Sequence, residues 1–459
     1  MPSLKSLLDD RPVKTELWHG LEKLADRLAK GLPRFPTSSP VLVSGPWGSG
    51  KTSLLKAIKE KLDPEDKPPT GGANAMKVSL FEAWRYEGEM PIFAALVRQI
   101  LHEAQESEAV QEQESQEQFS KRRDRLWKST VAFCGGVGPG LAGILGGPMG
   151  AASAAFVKGL VTAEKVDSKS SDSSDPALQA LLEDRSEALW TAFGDLLKLA
   201  YPAEDDNKGP ALLVLIDDLD RCSPEGTIQL LEGIRHFVAR SEDLPIRFVA
   251  ALDRGVLARL IARKFEGFDA YEGNRYLEKI FPLVFNLPRP TLEEIDGLVS
   301  DYAGALDLED EDREVARSVF TDEMFANPRL IKRVLNRFAL WLDYENPSGS
   351  NRSSEKESRR RVILVAWLAA CERWPGLRGL LARRKSQYWQ ELWSYARNNG
   401  GPGAGRLDSV SASTGVDHPP DPDAEKILQE QDLRSWLKGR DEAGSAFEYA
   451  ELSLQKWGL

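Results

Sequence analysis

The sequence predicts an α/β fold with a mainly parallel sheet, followed by a region built of helices alone. Three observations carry this expectation. Short apolar runs at Val41–Val43, Met76–Phe81, Ala211–Ile216 and Ile246–Leu252 read as buried strands, and helical patterns separate them. A glycine-rich loop follows the first run and opens the first intervening helix. From Pro290 onward the strand signals vanish.

The elements follow in order. Leu17, Leu21, Leu24 and Leu28 recur at three- and four-residue intervals, one face of a helix over residues 15–30 that Gly31, Pro33 and Pro36 end. Thr52–Leu62 reads as the helix behind the loop, and Pro91–Gln118 as one helix ending in a solvated Gln/Glu-rich run. Leu178–Tyr201 has helical spacing. After the third strand, Ser223 and Pro224 suit an N-cap and the first residue of a helix. Val362–Tyr395 is helical in pattern, with Trp367, Trp374, Trp389 and Trp393 read as core and Arg359–Arg361 as a solvated helix end. Ser-, Gly-, Asp- and Pro-rich stretches at 164–175, 346–358 and 398–423 read as linkers. Ile427–Trp457 reads as an amphipathic, mobile arm suited to a protein partner.

Composition narrows the function classes. A formal charge of -11 argues against a dedicated nucleic-acid binder, because phosphate contacts supply most of that affinity. Cys134, Cys222 and Cys371 lie far apart, and His19, His102, His236 and His418 have no metal-ligand spacing. Neither a disulfide framework nor a zinc site is expected, and a reducing cytoplasm is. The N-terminal MPSLKSLLDD has acids where a signal peptide carries its apolar run, so secretion is not expected.

The run Gly45-Pro46-Trp47-Gly48-Ser49-Gly50-Lys51-Thr52 matches G-x-x-x-x-G-K-[ST] in full. Its glycines let successive backbone N–H groups turn toward phosphate oxygens, and the helix that follows, through Thr52 and Ser53, presents its positive N-terminal end. Lys51 is expected to neutralise β- and γ-phosphate charge, and the Thr52 hydroxyl to hold Mg²⁺. The third strand delivers Asp217 and Asp218 at its C-terminal end, where open α/β sheets bind ligands. Asp217 is the expected Mg²⁺ partner and Asp218 the acid that orients the attacking water. The fourth strand ends at Asp253, which suits either a γ-phosphate sensor or the N-cap of the next helix. Asn207-Lys208-Gly209-Pro210 fails the guanine-reading N-K-x-D pattern at its last position, which favours ATP.

Several phrases resemble one family. The loop itself, Phe81-Glu82-Ala83-Trp84-Arg85-Tyr86, Asp217-Asp218-Leu219-Asp220-Arg221-Cys222, Tyr276-Leu277-Glu278-Lys279-Ile280 and Asn327-Pro328-Arg329-Leu330-Ile331-Lys332-Arg333 are similar to the KAP family of P-loop NTPases, in family order. The resemblance implies an ASCE-type core, in which an extra strand separates the loop strand from the Asp217 strand, followed by a helical lid. It implies ATP hydrolysis, with Arg329 or Arg333 as a sensor of the nucleotide. It also implies roles as a switch or assembly protein in signalling, scaffolding or bacterial defence; a nucleotide-binding scaffold with little turnover is the alternative. Many ASCE enzymes place a Glu where Asp218 stands, so Asp220 or Asp253 is a candidate to share its work. Trp47 and Trp84 read as packing residues near the pocket. The expected division is 1–290 for the core with an insertion at about 104–185, 291–345 for the lid, 356–397 for a helical C-terminal region, 398–425 for a linker and 426–459 for the arm.

Ser129–Val157 is uncharged and glycine-rich, bracketed by Lys128 and Lys158. Lys51 and Asp217 must share one pocket, so any full membrane spans between them come in even number. Two spans need about 40 apolar residues, more than the run holds. A packed glycine-rich insertion and a surface hairpin in peripheral contact with a membrane both stay open for 129–157. So do homo-oligomerisation, with Arg221, Arg254 or Arg275 serving a neighbour, and unidentified protein partners.

Overall fold

The computed structural model describes residues 7–11, 17–64, 76–107, 110, 113–136, 191–201, 212–239, 245–264, 269–321, 323–345, 355–377 and 430–438. The chain divides into two compact units: Pro12–Pro288, and Arg289–Leu459 together with Met1–Arg11.

The first unit is an α/β layer structure. Its strands are β1 (Val41–Ser44), β2 (Lys77–Glu82), β3 (Leu212–Asp217), β4 (Ile246–Leu252) and β5 (Leu283–Asn286). They form one parallel sheet in the order β2-β3-β4-β1-β5. β4 therefore lies between the loop strand β1 and the Asp217 strand β3, the arrangement that the family resemblance implies. β3 and β4 are buried along their whole length. Helices cover both faces of such strands, which is why they read as unbroken apolar runs instead of alternating ones. β5 escaped the sequence reading because it is only four residues long, lies between Pro282 and Pro288, and is partly exposed at the sheet edge.

The helices of this unit are α1 (His19–Gly31), α2 (Lys51–Leu62), α3 (Ile92–Gln105), α4 (Gln113–Gly136), α5 (Pro224–Ala239), α6 (Arg254–Lys264) and α7 (Ala270–Ile280), with residues 191–200 also helical. Phe93, Leu96, Ile100, Leu231 and Ile234 pack against Val214, Ile216, Phe248 and Ala250 in one apolar core. The single helix expected over Pro91–Gln118 is interrupted after Gln105. Ser107 donates through both its N–H and its hydroxyl to the Ala104 carbonyl, which closes α3 in a turn, and buried Val110 anchors the chain beyond it. Ser223 accepts from the Gly226 N–H at 3.2 Å, as its place before Pro224 suggested. α4 carries the start of the uncharged run as far as Gly136; the rest of that run, and the linker at 164–175, lie outside the described residues. Among the described residues, no helix is long and apolar enough to cross a membrane.

The second unit is helical: α8 (Leu292–Ala305), α9 (Asp310–Val319), α10 (Pro328–Glu345), α11 (Glu355–Arg373) and α12 (Gln431–Lys438). Thr291 and Glu294 form a reciprocal capping box at the start of α8, satisfying two otherwise unpaired N–H groups. The core gathers Val299, Leu335, Phe338, Trp367 and Trp374. Three expectations are corrected here. The stretch 346–358 is not all linker, because α11 begins at Glu355. Arg361 is not on a solvated helix end: it is buried and pairs with buried Asp312 at 2.7 Å. Within 427–457, the helix Gln431–Lys438 is docked instead of free. Leu433 and Trp436 are buried, and the Trp436 ring meets Trp367, Phe325 and Trp374 with centroids 5.2, 6.3 and 5.8 Å away. An indole and a leucine side chain on one helix face are better buried than left in water. Trp389, Trp393 and the linker 398–423 lie outside the described residues.

Candidate nucleotide site

The phosphate loop hangs between β1 and α2. Gly48 and Gly50 have φ of 82° and 95°, in the left-handed region where side chains are strained. Gly45 donates to the Leu252 carbonyl of β4 at 3.3 Å, and a Cβ at Gly45 would meet Ser49 Oγ at 2.7 Å and Leu287 Cβ at 3.2 Å. Ser49 closes the loop on itself, donating through N–H and hydroxyl to the Pro46 carbonyl at 3.2 and 2.7 Å. The loop is thus tied to the sheet at one end and to the N-terminus of α2 at the other, where Lys51, Thr52 and Ser53 form the first turn. Trp47 does not pack inside: it is 50% exposed, as Trp84 is at 53%, which corrects the packing expectation for both. Arg221 lies over the Trp84 ring, 5.9 Å from its centroid.

Lys51 is almost buried. Its Nζ donates to the carbonyls of Gly45 and Pro46 at 3.0 and 3.2 Å and lies 3.8 Å from Asp220 Oδ2. Asp217 is buried at the end of β3, and burial pushes its carboxyl up to about 6; the Thr52 hydroxyl and Lys51 hold it back, while Asp218 adds to the rise. Asp217 Oδ2 is buried with no hydrogen-bond partner, beside that Thr52 hydroxyl. A carboxylate oxygen in search of a partner next to an alcohol oxygen suits Mg²⁺, which takes oxygen ligands and completes its shell with water and phosphate.

Asp218 has φ 57°, an uncommon backbone state for a residue with a side chain, and this turns the chain into the short helical turn Leu219–Arg221. Its Oδ1 is 3.0 Å from Arg221 Nε. Burial raises its pKa and Arg221 opposes the rise, with Asp220 and Glu82 adding to it. Asp253 stands at the end of β4, and its Oδ1 accepts from the N–H groups of Gly255 and Val256, capping α6. The structure therefore brings Gly45–Ser53, Asp217, Asp218 and Asp253 together at the C-terminal ends of three adjacent strands. Arg329 belongs to the helical unit, where its Nε is 2.9 Å from Asp10 Oδ1. Sequence reasoning did not place Asp220 beside Lys51. Its signal was present in the spacing Asp-Asp-Leu-Asp, but only the left-handed turn at Asp218 brings that carboxylate back to the lysine.

Several solved structures are distantly similar. A variant of RuvB from Thermotoga maritima is 14% identical, with 95% of each chain covered and a TM-score of 0.37. A Walker-type ATPase of Pyrococcus abyssi is 13% identical, with 96% of this chain and 99% of the other covered and a TM-score of 0.37. The ORC2 protein of Aeropyrum pernix is 13% identical, with 97% and 88% covered and a TM-score of 0.35. No curated protein matches the chain. The KAP family P-loop domain matches residues 21–344, from the first helix through the end of α10. With that match over most of its length, and with the loop, the strand order and the Asp217 strand in their places, this chain belongs to the KAP family of P-loop NTPases.

Proposed function

We propose that the chain binds ATP with Mg²⁺ and hydrolyses its terminal phosphoanhydride, and that the cycle works a switch in which the helical unit is the lid. The observation that carries this reading is the meeting of Lys51 with the orphaned Asp217 Oδ2 and the Thr52 hydroxyl in one pocket. ATP is preferred to GTP because the chain has no guanine-reading Asp in the N-K-x-D position. Backbone N–H groups of Gly48–Thr52 cradle the phosphates, and Lys51 balances charge on the β- and γ-oxygens. Mg²⁺ held by Thr52 and Asp217 would neutralise charge that develops on the bridging oxygen. Asp218 orients a water toward the γ-phosphorus. Its raised pKa suits it to take the water's proton as the bond to the β-phosphate oxygen breaks. The products are ADP and inorganic phosphate. Asp253, through its cap on α6, senses the change, and Arg329 serves the nucleotide from the lid. A role for the cycle in defence or in signalling at a membrane stays within this proposal, and the uncharged run at 129–157 is the candidate membrane contact.

The test is phosphate release by the purified full chain with ATP and Mg²⁺. Lys51→Ala should abolish ATP binding. Asp218→Asn should spare binding and lower hydrolysis by about 10²-fold or more, in the range of a lost general base. Wild-type protein that binds ATP yet releases no phosphate above the Lys51→Ala background would overturn the enzyme reading and leave a nucleotide-binding scaffold.

A further inference from the structure

Asp220 has no role in the hydrolysis proposed above, yet it is the acid nearest the phosphate-binding lysine. Its side chain is 9% exposed, with Oδ2 3.8 Å from Lys51 Nζ. The same oxygen accepts the Asp253 N–H at 3.1 Å. Asp218, by contrast, turns its carboxylate to Arg221. From Asp253 the contacts continue without a break. Its side chain caps α6, and the adjacent Arg254 donates to Asn274 Oδ1 at 2.8 Å and to Glu278 Oε1 at 2.6 Å on α7. α6 and α7 are in close contact: a Cβ at Gly273 would lie 2.2 Å from the Ala258 carbonyl oxygen.

We propose that Asp220 is a positioning residue that discriminates nucleoside triphosphate from diphosphate, competing with the terminal phosphate for Lys51 and passing its displacement through Asp253 to α6 and α7. This rests on the P-loop reading above. An ammonium has three N–H donors, and two of those on Lys51 go to the Gly45 and Pro46 carbonyls. The remaining side faces Asp220. A terminal phosphate drawn to Lys51 meets a carboxylate already there, and like charges at that range repel in a nearly buried pocket. A diphosphate brings less charge to the same place. Asp220 then stays on Lys51 and keeps the Asp253 N–H.

Asp220→Asn tests this cleanly, because the amide oxygen can still accept the Asp253 N–H while the charge is gone. The full chain is titrated calorimetrically with Mg²⁺ and either ADP or the slowly hydrolysed analogue adenylyl-imidodiphosphate. Asp220→Asn should bind the analogue about 10-fold tighter and change ADP affinity less than about 2-fold, the size expected when one like-charge contact is removed. Amide exchange at residues 255–257 should differ between the two nucleotides in wild type, and that difference should shrink in Asp220→Asn. Affinities that move together, or an analogue bound more weakly, would overturn the proposal. Lys51→Ala separates the two readings. If it leaves nucleotide binding intact, the P-loop reading falls. If it abolishes binding while Asp220→Asn leaves the wild-type ratio unchanged, only the role of Asp220 falls.

Discussion

Asp10 and Arg329, 319 positions apart in the chain, meet in the helical unit with Oδ1 and Nε 2.9 Å apart. The contact is one of a set along α10. Leu8 and Asn336 exchange two hydrogen bonds, Lys332 donates to the Asp9 carbonyl, and Arg333 reaches the other Asp10 oxygen at 3.2 Å.

If Arg329 serves the nucleotide as proposed, Asp10 competes with the nucleotide for its guanidinium. The pair is partly exposed, so releasing it costs about 0.5–1 kcal/mol. Asp10→Asn should therefore raise phosphate release about 2- to 5-fold, with little change in melting temperature, while Arg329→Ala should lower it. An Asp10→Asn rate equal to wild type would sink the exchange.

The Arg361–Asp312 pair behaves oppositely, because both groups are buried. Asp312→Ala takes the 2.7 Å partner from the buried guanidinium, leaving it the partly exposed Glu311 at 3.6 Å, and should cost about 3 kcal/mol, read from urea unfolding. Replacing both residues by apolar ones of similar size should cost far less than the single change. A double variant as damaged as Asp312→Ala would contradict this account.

Arg247 is the counter-case in the sheet. It sits on β4, fully buried, with all three guanidinium nitrogens lacking a hydrogen-bond partner, and burial drives its pKa down to about 10. Arg247→Met keeps the packing volume and removes the buried charge. It should stabilise the first unit by about 1 kcal/mol or more and raise Tm by roughly 2 °C. A fall in Tm would mean that the guanidinium has a role that packing and charge do not explain.

Trp436 tests the docked helix. Trp436→Ala should lower the stability of the helical unit by about 3 kcal/mol, typical of a buried large-to-small change. Ending the chain before Gln431 should do at least as much and should shift the tryptophan emission of the unit to the red as Trp367 and Trp374 meet water. Unchanged emission in the truncated chain would show that Gln431–Lys438 contributes no cover.

Much of the α/β unit is legible along the chain because its signals are local. A parallel strand buried on both faces needs an unbroken apolar run, and the loop Gly45–Thr52 needs glycine where φ is positive and lysine where phosphate charge collects. Asp217 and Asp218 are readable as candidate site residues for the same reason: they end such a run. Tertiary structure decided the rest. Position along the chain does not say that Asp220 folds back onto Lys51, since that depends on a left-handed turn at one aspartate. It offers the cap on α6 as one of two readings of Asp253, but does not say that the same residue lends its N–H to Asp220. Nor does it say that Arg361 is buried on Asp312 or that Trp436 is packed among Trp367, Phe325 and Trp374. A charge or an aromatic ring on a helix carries the same local signal in water as in a core. Which one it meets is set by partners far away in the chain, so the loop chemistry and four of the five strands could be read from residues in sequence, while the pairing of charges was settled only when distant segments closed around them.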